Sequence, residues 1–202
     1  MFTGIVEKTL NIVKITEEGN NKTFTISCPF AKDLYIDQSI AHNGVCLTVT
    51  GIDEDTYTVT AIEETLQKTN LDSLTAGDLI NFERAAMTGS RVDGHFVQGH
   101  VDKVVRCLEK KDANGSWIFY FAINQEDIPL LVNKGSVCIN GVSLTIVEAN
   151  EKYFSVAIIP YTYEHTTFFR LAPGDEVNIE FDILGKYIVR YLQNLPGLSR
   201  FY

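Results

Sequence analysis

The sequence predicts an all-β fold: two tandem homologous domains, each a sandwich or a small barrel, followed by a C-terminal α-helix. Three observations carry this reading. The chain repeats itself at a fixed offset, each copy alternates polar and apolar residues with turn signals between the runs, and the alternation gives way to a helical period near the end.

The repeat is the strongest of the three. His42-Asn43-Gly44-Val45-Cys46-Leu47-Thr48-Val49 returns, at an offset of 97, as Ile139-Asn140-Gly141-Val142-Ser143-Leu144-Thr145-Ile146. The same offset maps Ser39 onto Ser136, Thr65–Thr69 onto Thr162–Thr166, and Gly77–Glu83 onto Gly174–Glu180. An offset two residues shorter maps Gly4-Ile5-Val6-Glu7 onto Gly99-His100-Val101-Asp102. Collinear blocks at one offset mark a duplicated domain, and the period is too long for a solenoid. The expected division is 1–97 for the first copy, 98–183 for the second, and 184–202 for the helix and tail.

Within the first copy, Lys22–Ser27 and Thr56–Ile62 alternate with period 2, the pattern of half-buried strands. In the second, Trp117–Ile123 is aromatic and β-branched and follows Asn114-Gly115, a hairpin turn. Turn signals recur every 8–15 residues or so, which fits a sandwich or a small barrel per copy. A barrel of about six strands is filled by its own side chains, so a ligand must sit at a rim or between barrels. The closing element changes period: Leu184, Tyr187, Ile188, Val189, Tyr191, Leu192 and Leu195 form the apolar stripe of an amphipathic helix stopped by Pro196-Gly197. The stripe either packs on the chain's own barrels or joins subunits.

Composition excludes several functions. The chain of 202 residues carries 17 Lys and Arg against 26 Asp and Glu, a net charge of −9. An acidic surface repels phosphate backbones, which argues against nucleic acid. No apolar run reaches the roughly 18 residues of a membrane span, and the N-terminus lacks the regions of a signal peptide. Cys28, Cys46, Cys107 and Cys138 form no Cys-x-x-Cys pair, so reduced thiols in a cytoplasmic protein are expected and a zinc site is not. His95 and His100 are five residues apart; on a continuous strand they would face opposite sides and share no metal.

The chemistry concentrates in Asn-Gly-Val-Cys/Ser-Leu-Thr. The Asn-Gly pairs turn the chain into a strand, and Thr48 and Thr145 share a strand face with Cys46 and Ser143. The copies differ at one reactive position, a thiol in one and a hydroxyl in the other. Two similar pockets with different central groups suit two similar polar molecules treated differently.

These motifs carry a resemblance. Met1–Glu7, Asn43–Val49, Glu64-Thr65-Leu66 with Thr69-Asn70-Leu71, Gly94–Asp102, Lys134-Gly135-Ser136 with Gly141–Thr145, and Ile159-Pro160 with Thr166-Thr167 resemble the riboflavin synthases of the α-chain type. The resemblance covers nearly the whole chain. It implies two six-stranded Greek-key barrels and a dismutation of two 6,7-dimethyl-8-ribityllumazine molecules. A four-carbon unit passes from one to the other, giving riboflavin and 5-amino-6-ribitylaminouracil. It implies no metal and no organic cofactor. It also implies a homotrimer held by the C-terminal helix, with reacting pockets from different subunits; some members dock with a lumazine synthase shell.

Carried over residue by residue, Gly4, Ile5, Val6, Cys46, Leu47, Thr48, Thr60, Ala61, Ile62, Glu63, Glu64 and Thr65 line the first pocket. Gly99, His100, Val101, Lys134, Ser143, Leu144, Thr145, Ala157, Ile158, Ile159, Pro160, Tyr161 and Thr162 line the second. Cys46, His100, Ser143 and Asp182 are the catalytic candidates, for proton transfer or adduct stabilisation. Two departures stand out: some members have Asp where Asn140 sits, and Tyr161 replaces the acid that Glu64 provides in the first copy. The alternative is a non-catalytic lumazine or flavin carrier; intact Cys46, His100 and Lys134 argue against it.

Overall fold

The computed structural model describes residues 1–195. The first barrel contains β1 (Lys8–Glu18), β2 (Asn21–Ser27), β3 (Ser39–His42), β4 (Val45–Ile52), β5 (Thr56–Ala61) and β6 (Leu79–Arg84), with α1 (Glu63–Lys68) between the last two. The second contains β7 (Lys103–Asp112), β8 (Trp117–Ala122), β9 (Ser136–Ile139), β10 (Val142–Ala149), β11 (Tyr153–Ile158) and β12 (Glu176–Phe181), with α2 (Pro160–His165) in the matching place. α3 (Ile183–Gln193) follows. Both barrels close, in the orders β1-β2-β5-β4-β3-β6 and β7-β8-β11-β10-β9-β12. All pairings are antiparallel and the topologies are identical, as duplication requires.

Alternation decides which side chains enter each barrel. Along β5, Tyr57, Val59 and Ala61 are buried while Thr56, Thr58 and Thr60 face out. The first core gathers Phe24, Ile26, Val49 and Phe82; the second gathers Phe119, Phe121, Phe154 and Val156. Each such side chain contributes about 1.5–3 kcal/mol on burial. The first interior keeps a void of about 10 Å³ beside Ile12 and His42, room for at most one water.

The two cores differ in one polar pair. His42 is buried, and its Nε2 lies 2.7 Å from the Tyr57 hydroxyl. The second barrel has Ile139 and Phe154 at these positions. Burial drives the His42 imidazole down from 6.5 to about 4.

The barrels meet across a pseudo-twofold axis through their Asn-Gly turns. Asn43 and Gly44 take φ of 48° and 81°, Asn140 and Gly141 of 46° and 80°. These are left-handed values that the Asn-Gly dipeptide accepts. A Cβ on Gly44 would stand 2.8 Å from the Gly141 nitrogen, and one on Gly141 2.8 Å from the Gly44 nitrogen. Around this contact, Asn81 Nδ2 donates to the Asn140 carbonyl at 2.7 Å, and Asn178 Nδ2 to the Asn43 carbonyl at 2.9 Å.

The segments entering each barrel cross to the other one. Gly4 packs on Ser143, whose N–H donates to the Gly4 carbonyl at 2.7 Å; Val6 packs on the second core. Gly99 packs on Cys46, whose N–H donates to the Gly99 carbonyl at 2.9 Å; Val101 packs on the first core. Phe2 and Val97 pair where the two segments pass.

Residues 92–102 form no continuous strand beyond that pairing, because their backbone bonds go singly to scattered partners, Phe2, Thr3, Cys46, Ile179 and Glu180, and build no ladder with one neighbouring strand. The face argument for His95 and His100 therefore does not apply. α3 is capped by Asp182, whose Oδ1 accepts from the Leu184 N–H at 3.0 Å, and Lys186 pairs with Asp102 at 2.6 Å. Most of its apolar stripe is left uncovered: Leu184, Tyr187, Ile188 and Tyr191 are exposed, while Val189, Leu192 and Leu195 are half-buried. The expected Pro196-Gly197 stop lies outside the described residues.

Two outcomes are expected. As pH falls from 6.5 through about 4, the unfolded chain takes up a proton at residue 42 that the folded chain refuses, so stability is lost over that window, by about 3 kcal/mol. Urea unfolding at pH 7 and 4.5 should show a smaller acid loss in His42→Gln than in the parent; an unchanged difference would exonerate His42. Second, residues 1–97 hold every buried residue of the first core but lack Val101, which packs on it, and Gly99. The fragment should fold and pair, the Gly4 segment of each copy covering Cys46 of the other. A folded fragment that sediments as a monomer would contradict this.

Candidate active site

The first half-site is built on the outer face of β4. Val45, Leu47 and Val49 point into the barrel, which turns Cys46 and Thr48 outward. Thr60 on β5 faces out beside them, its Oγ1 2.9 Å from the Thr23 hydroxyl. The chain then leaves the barrel through Ile62 into α1 and exposes Ile62, Glu63 and Glu64. Glu64 bonds Lys68 at 2.7 Å, and that partner holds its carboxyl below the usual range. Burial pushes the Cys46 thiol up, the Ser39 hydroxyl opposing more weakly, so Cys46 is a neutral thiol near pH 7. His100, on the covering segment, turns its side chain to solvent.

The second half-site repeats this plan with other groups. Ser143 and Thr145 face out from β10, between the inward Val142, Leu144 and Ile146. Ser143 Oγ lies 2.7 Å from His95 Nδ1, and the His95 N–H donates to the Thr3 carbonyl at 3.1 Å. Burial lowers the His95 imidazole, with nearby Asp182 acting in the opposite sense, so the ring is neutral near pH 7. Gly94 admits this contact, since a Cβ there would meet the Thr3 carbonyl and the Ser143 side chain. Lys134 is exposed on a left-handed backbone, φ 70°. Ala157, Ile159, Pro160 and Tyr161 are exposed along the exit from β11 into α2, Ile158 is buried, and the Tyr161 ring stacks on His165 at 4.1 Å.

The structure corrects the sequence reading in one respect. Gly4-Ile5-Val6 was expected beside Cys46, and Gly99-His100-Val101 beside Ser143; each segment lies over the opposite barrel. A repeat relates a segment to its copy but is silent on which barrel that segment covers. Asp182 serves as a helix cap as well as a neighbour of His95.

Sequence reasoning missed three residues. For His95 the sequence offers an unlikely metal pairing with His100 or a hydrogen bond near the junction of the copies, but not its partner Ser143. Glu83 and Glu180 were seen only as the end of a repeated block, yet both are buried. The signal is in the sequence: a glutamate at the same place in both copies, inside the last, largely apolar strand of each barrel. Among the described residues no group of His, Cys, Asp and Glu is arranged to hold a metal, and none of the described helices is long and apolar enough to cross a membrane.

Comparison with known proteins places this geometry. The lumazine binding domain family matches residues 3–85 and again 98–182. Riboflavin synthase of Bacillus subtilis is 38% identical over 193 residues, 95% of this chain and 90% of its own. That of Schizosaccharomyces pombe is 38% identical over 197 residues, 96% and 94% of the two chains. That of Escherichia coli is 37% identical, covering 90% and 87%. Among solved structures, LumP complexed with 6,7-dimethyl-8-(1'-D-ribityl) lumazine superposes with a TM-score of 0.80 at 24% identity, covering 89% of this chain and 98% of that one. LumP complexed with riboflavin gives 0.83 at 23% identity, covering 90% and 99%. These two show the shared fold, and the nearly full-length relatives show the lineage: the chain belongs to the riboflavin synthase family, two lumazine-binding domains in one polypeptide.

Proposed function

We propose that this chain converts two molecules of 6,7-dimethyl-8-ribityllumazine into riboflavin and 5-amino-6-ribitylaminouracil, moving a four-carbon unit from one to the other. The observation that carries the reading is the duplicated half-site with unequal centres, a half-buried neutral thiol at Cys46 and a hydroxyl–imidazole pair at Ser143 and His95. A dismutation needs two pockets that accept the same molecule and treat it differently. Loss of a proton from the 7-methyl group leaves charge that the lumazine ring itself delocalises. A neutral imidazole bonded to a hydroxyl is fit to take that proton, and a protonated thiol to donate a hydrogen bond or a proton.

The first pocket on this reading is Cys46, Leu47, Thr48 and Thr60–Thr65 under Gly99-His100-Val101. The second is Lys134, Ser143–Thr145 and Ala157–Thr162 under Gly4-Ile5-Val6. His100 and Asp182 stand at the edges of the reacting space. Aligning two reactants supplies several kcal/mol of the barrier. The reading extends to a homotrimer acting in the cytoplasm, supported by the exposed stripe of α3 and by four thiols that form no disulfide. Docking with a lumazine synthase shell has family membership alone as support.

The decisive assay incubates the purified chain with 6,7-dimethyl-8-ribityllumazine and follows riboflavin. Binding without riboflavin formation would make the chain a carrier. Cys46→Ser should fold normally and turn over at least about tenfold more slowly, because a hydroxyl is a weaker acid than a thiol. Full activity in this variant would leave the sulfur without a chemical role.

Association is tested separately. A charge placed in a buried apolar contact is desolvated without a partner. Ile188→Asp combined with Leu192→Asp should give folded monomers that bind ligand but make no riboflavin at low protein concentration, by sedimentation and assay together. A monomer with undiminished turnover would exclude a site shared between subunits.

A further inference from the structure

We propose that Glu83 and Glu180 are crosswise positioning residues, each rooted in the last strand of one barrel and holding the backbone segment that covers the reactive group of the other. Glu83, on β6, accepts from the Thr3 N–H at 2.7 Å and the Thr3 hydroxyl at 2.9 Å through Oε1, and from the Gly4 N–H at 3.1 Å through Oε2. Gly4 in turn presents its carbonyl to the Ser143 N–H at 2.7 Å. Glu180, on β12, accepts from the Gln98 N–H at 2.6 Å and the His100 N–H at 2.8 Å. Between those two amides, Gly99 presents its carbonyl to the Cys46 N–H at 2.9 Å. One residue of backbone thus links the carboxylate of one barrel to the reactive residue of the other.

Both side chains are almost completely buried, 6% exposed for Glu83 and 3% for Glu180. Burying a carboxylate is unfavourable unless its oxygens are satisfied, and desolvation does raise the Glu83 carboxyl above its ordinary value. The donors that satisfy these oxygens belong almost entirely to the two crossing segments. An ionised carboxylate offers acceptors on both oxygens; an amide would turn an N–H₂ toward one of those backbone N–H groups. The segments have no freedom to sit elsewhere. Gly4 and Gly99 hold φ of 74° and 79°, and a Cβ on either would fall 2.6 Å from the Cβ of Ser143 or Cys46. The covering contact therefore depends on where each carboxylate pins the chain.

The idea rests on Cys46 and Ser143 marking the two pockets, but its test needs neither ligand nor turnover. Of the four thiols, Cys28, Cys107 and Cys138 are buried and Cys46 is half-buried, so mild iodoacetamide treatment at pH 8.5 reports Cys46. On the full chain, Glu180→Gln should speed Cys46 alkylation by about tenfold or more, the weight of one charge-assisted hydrogen bond, while Glu83→Gln should stay within about twofold of the parent. Reciprocally, Glu83→Gln should move the His95 titration, followed by NMR, up toward its ordinary 6.5, and Glu180→Gln should leave it in place. Equal effects of both variants on both probes, or none, would overturn crosswise positioning and leave the glutamates as general supports. Circular dichroism checks that each variant folds. If one does not, hydrogen exchange on the parent chain decides: the Thr3, Gly4, Gln98 and His100 amides should exchange at least about 100-fold more slowly than those of Arg91 and Val92. Exchange as fast as in that linker would refute the anchoring.

Discussion

The architecture depends on the contact between two Asn-Gly turns. Gly44 and Gly141 stand backbone to backbone, with no room for a side chain between them. Each turn ends the β3–β4 or β9–β10 hairpin, so the distance between the turns sets the distance between the barrels. The asparagines complete the junction. Asn43 Oδ1 accepts from the Asn81 N–H at 2.8 Å within the first barrel, while Asn81 reaches across to the second, and Asn140 and Asn178 do the same in reverse. These amides are buried, and a buried amide left unpaired would be strongly destabilising. A junction of reciprocal hydrogen bonds tolerates one geometry, which gives two separately closed barrels a defined mutual orientation.

That orientation lets the two entering segments exchange. With the barrels back to back at the turns, Phe2 and Val97 meet near the axis, and each segment continues over the neighbouring barrel's β4 or β10 face. The barrel interiors are occupied by Phe, Ile and Val, so polar chemistry is confined to the outer faces and needs a cover. The exchanged segments provide it. Each half-site is therefore a composite of both copies, and a change in one half reaches the pocket of the other through a few backbone hydrogen bonds.

Duplication also lets the copies diverge at equivalent points. Cys46 corresponds to Ser143, Glu64 to Tyr161, and Asp37 to Lys134 on the same left-handed backbone. Inside the barrels, the His42–Tyr57 pair is replaced by Ile139 and Phe154. The helices that follow β5 and β11 are held differently too. Leu66 of α1 is buried in the first core, whereas Tyr163 of α2 stacks on Trp117 at 3.7 Å and bonds Lys110 at 2.7 Å. One scaffold thus holds two chemically unequal sites, which a reaction between two copies of one molecule requires.

The sequence by itself determined what depends on local pattern. Alternation at Lys22–Ser27 and Thr56–Ile62, the Asn-Gly turns, the repeat at offset 97 and the amphipathic stripe after Leu184 are all written along the chain, because period and turn chemistry act over a few residues. The motifs around Cys46 and Ser143 were legible for the same reason. The tertiary structure alone decided which barrel each Gly segment covers, that His95 bonds Ser143, and that Glu83 and Glu180 are buried anchors. Those relations join residues 48 to 139 positions apart. They follow from how two closed barrels dock across an axis, and neither residue spacing nor the repeat encodes that docking: a barrel covered by its own leading segment would show the same pattern.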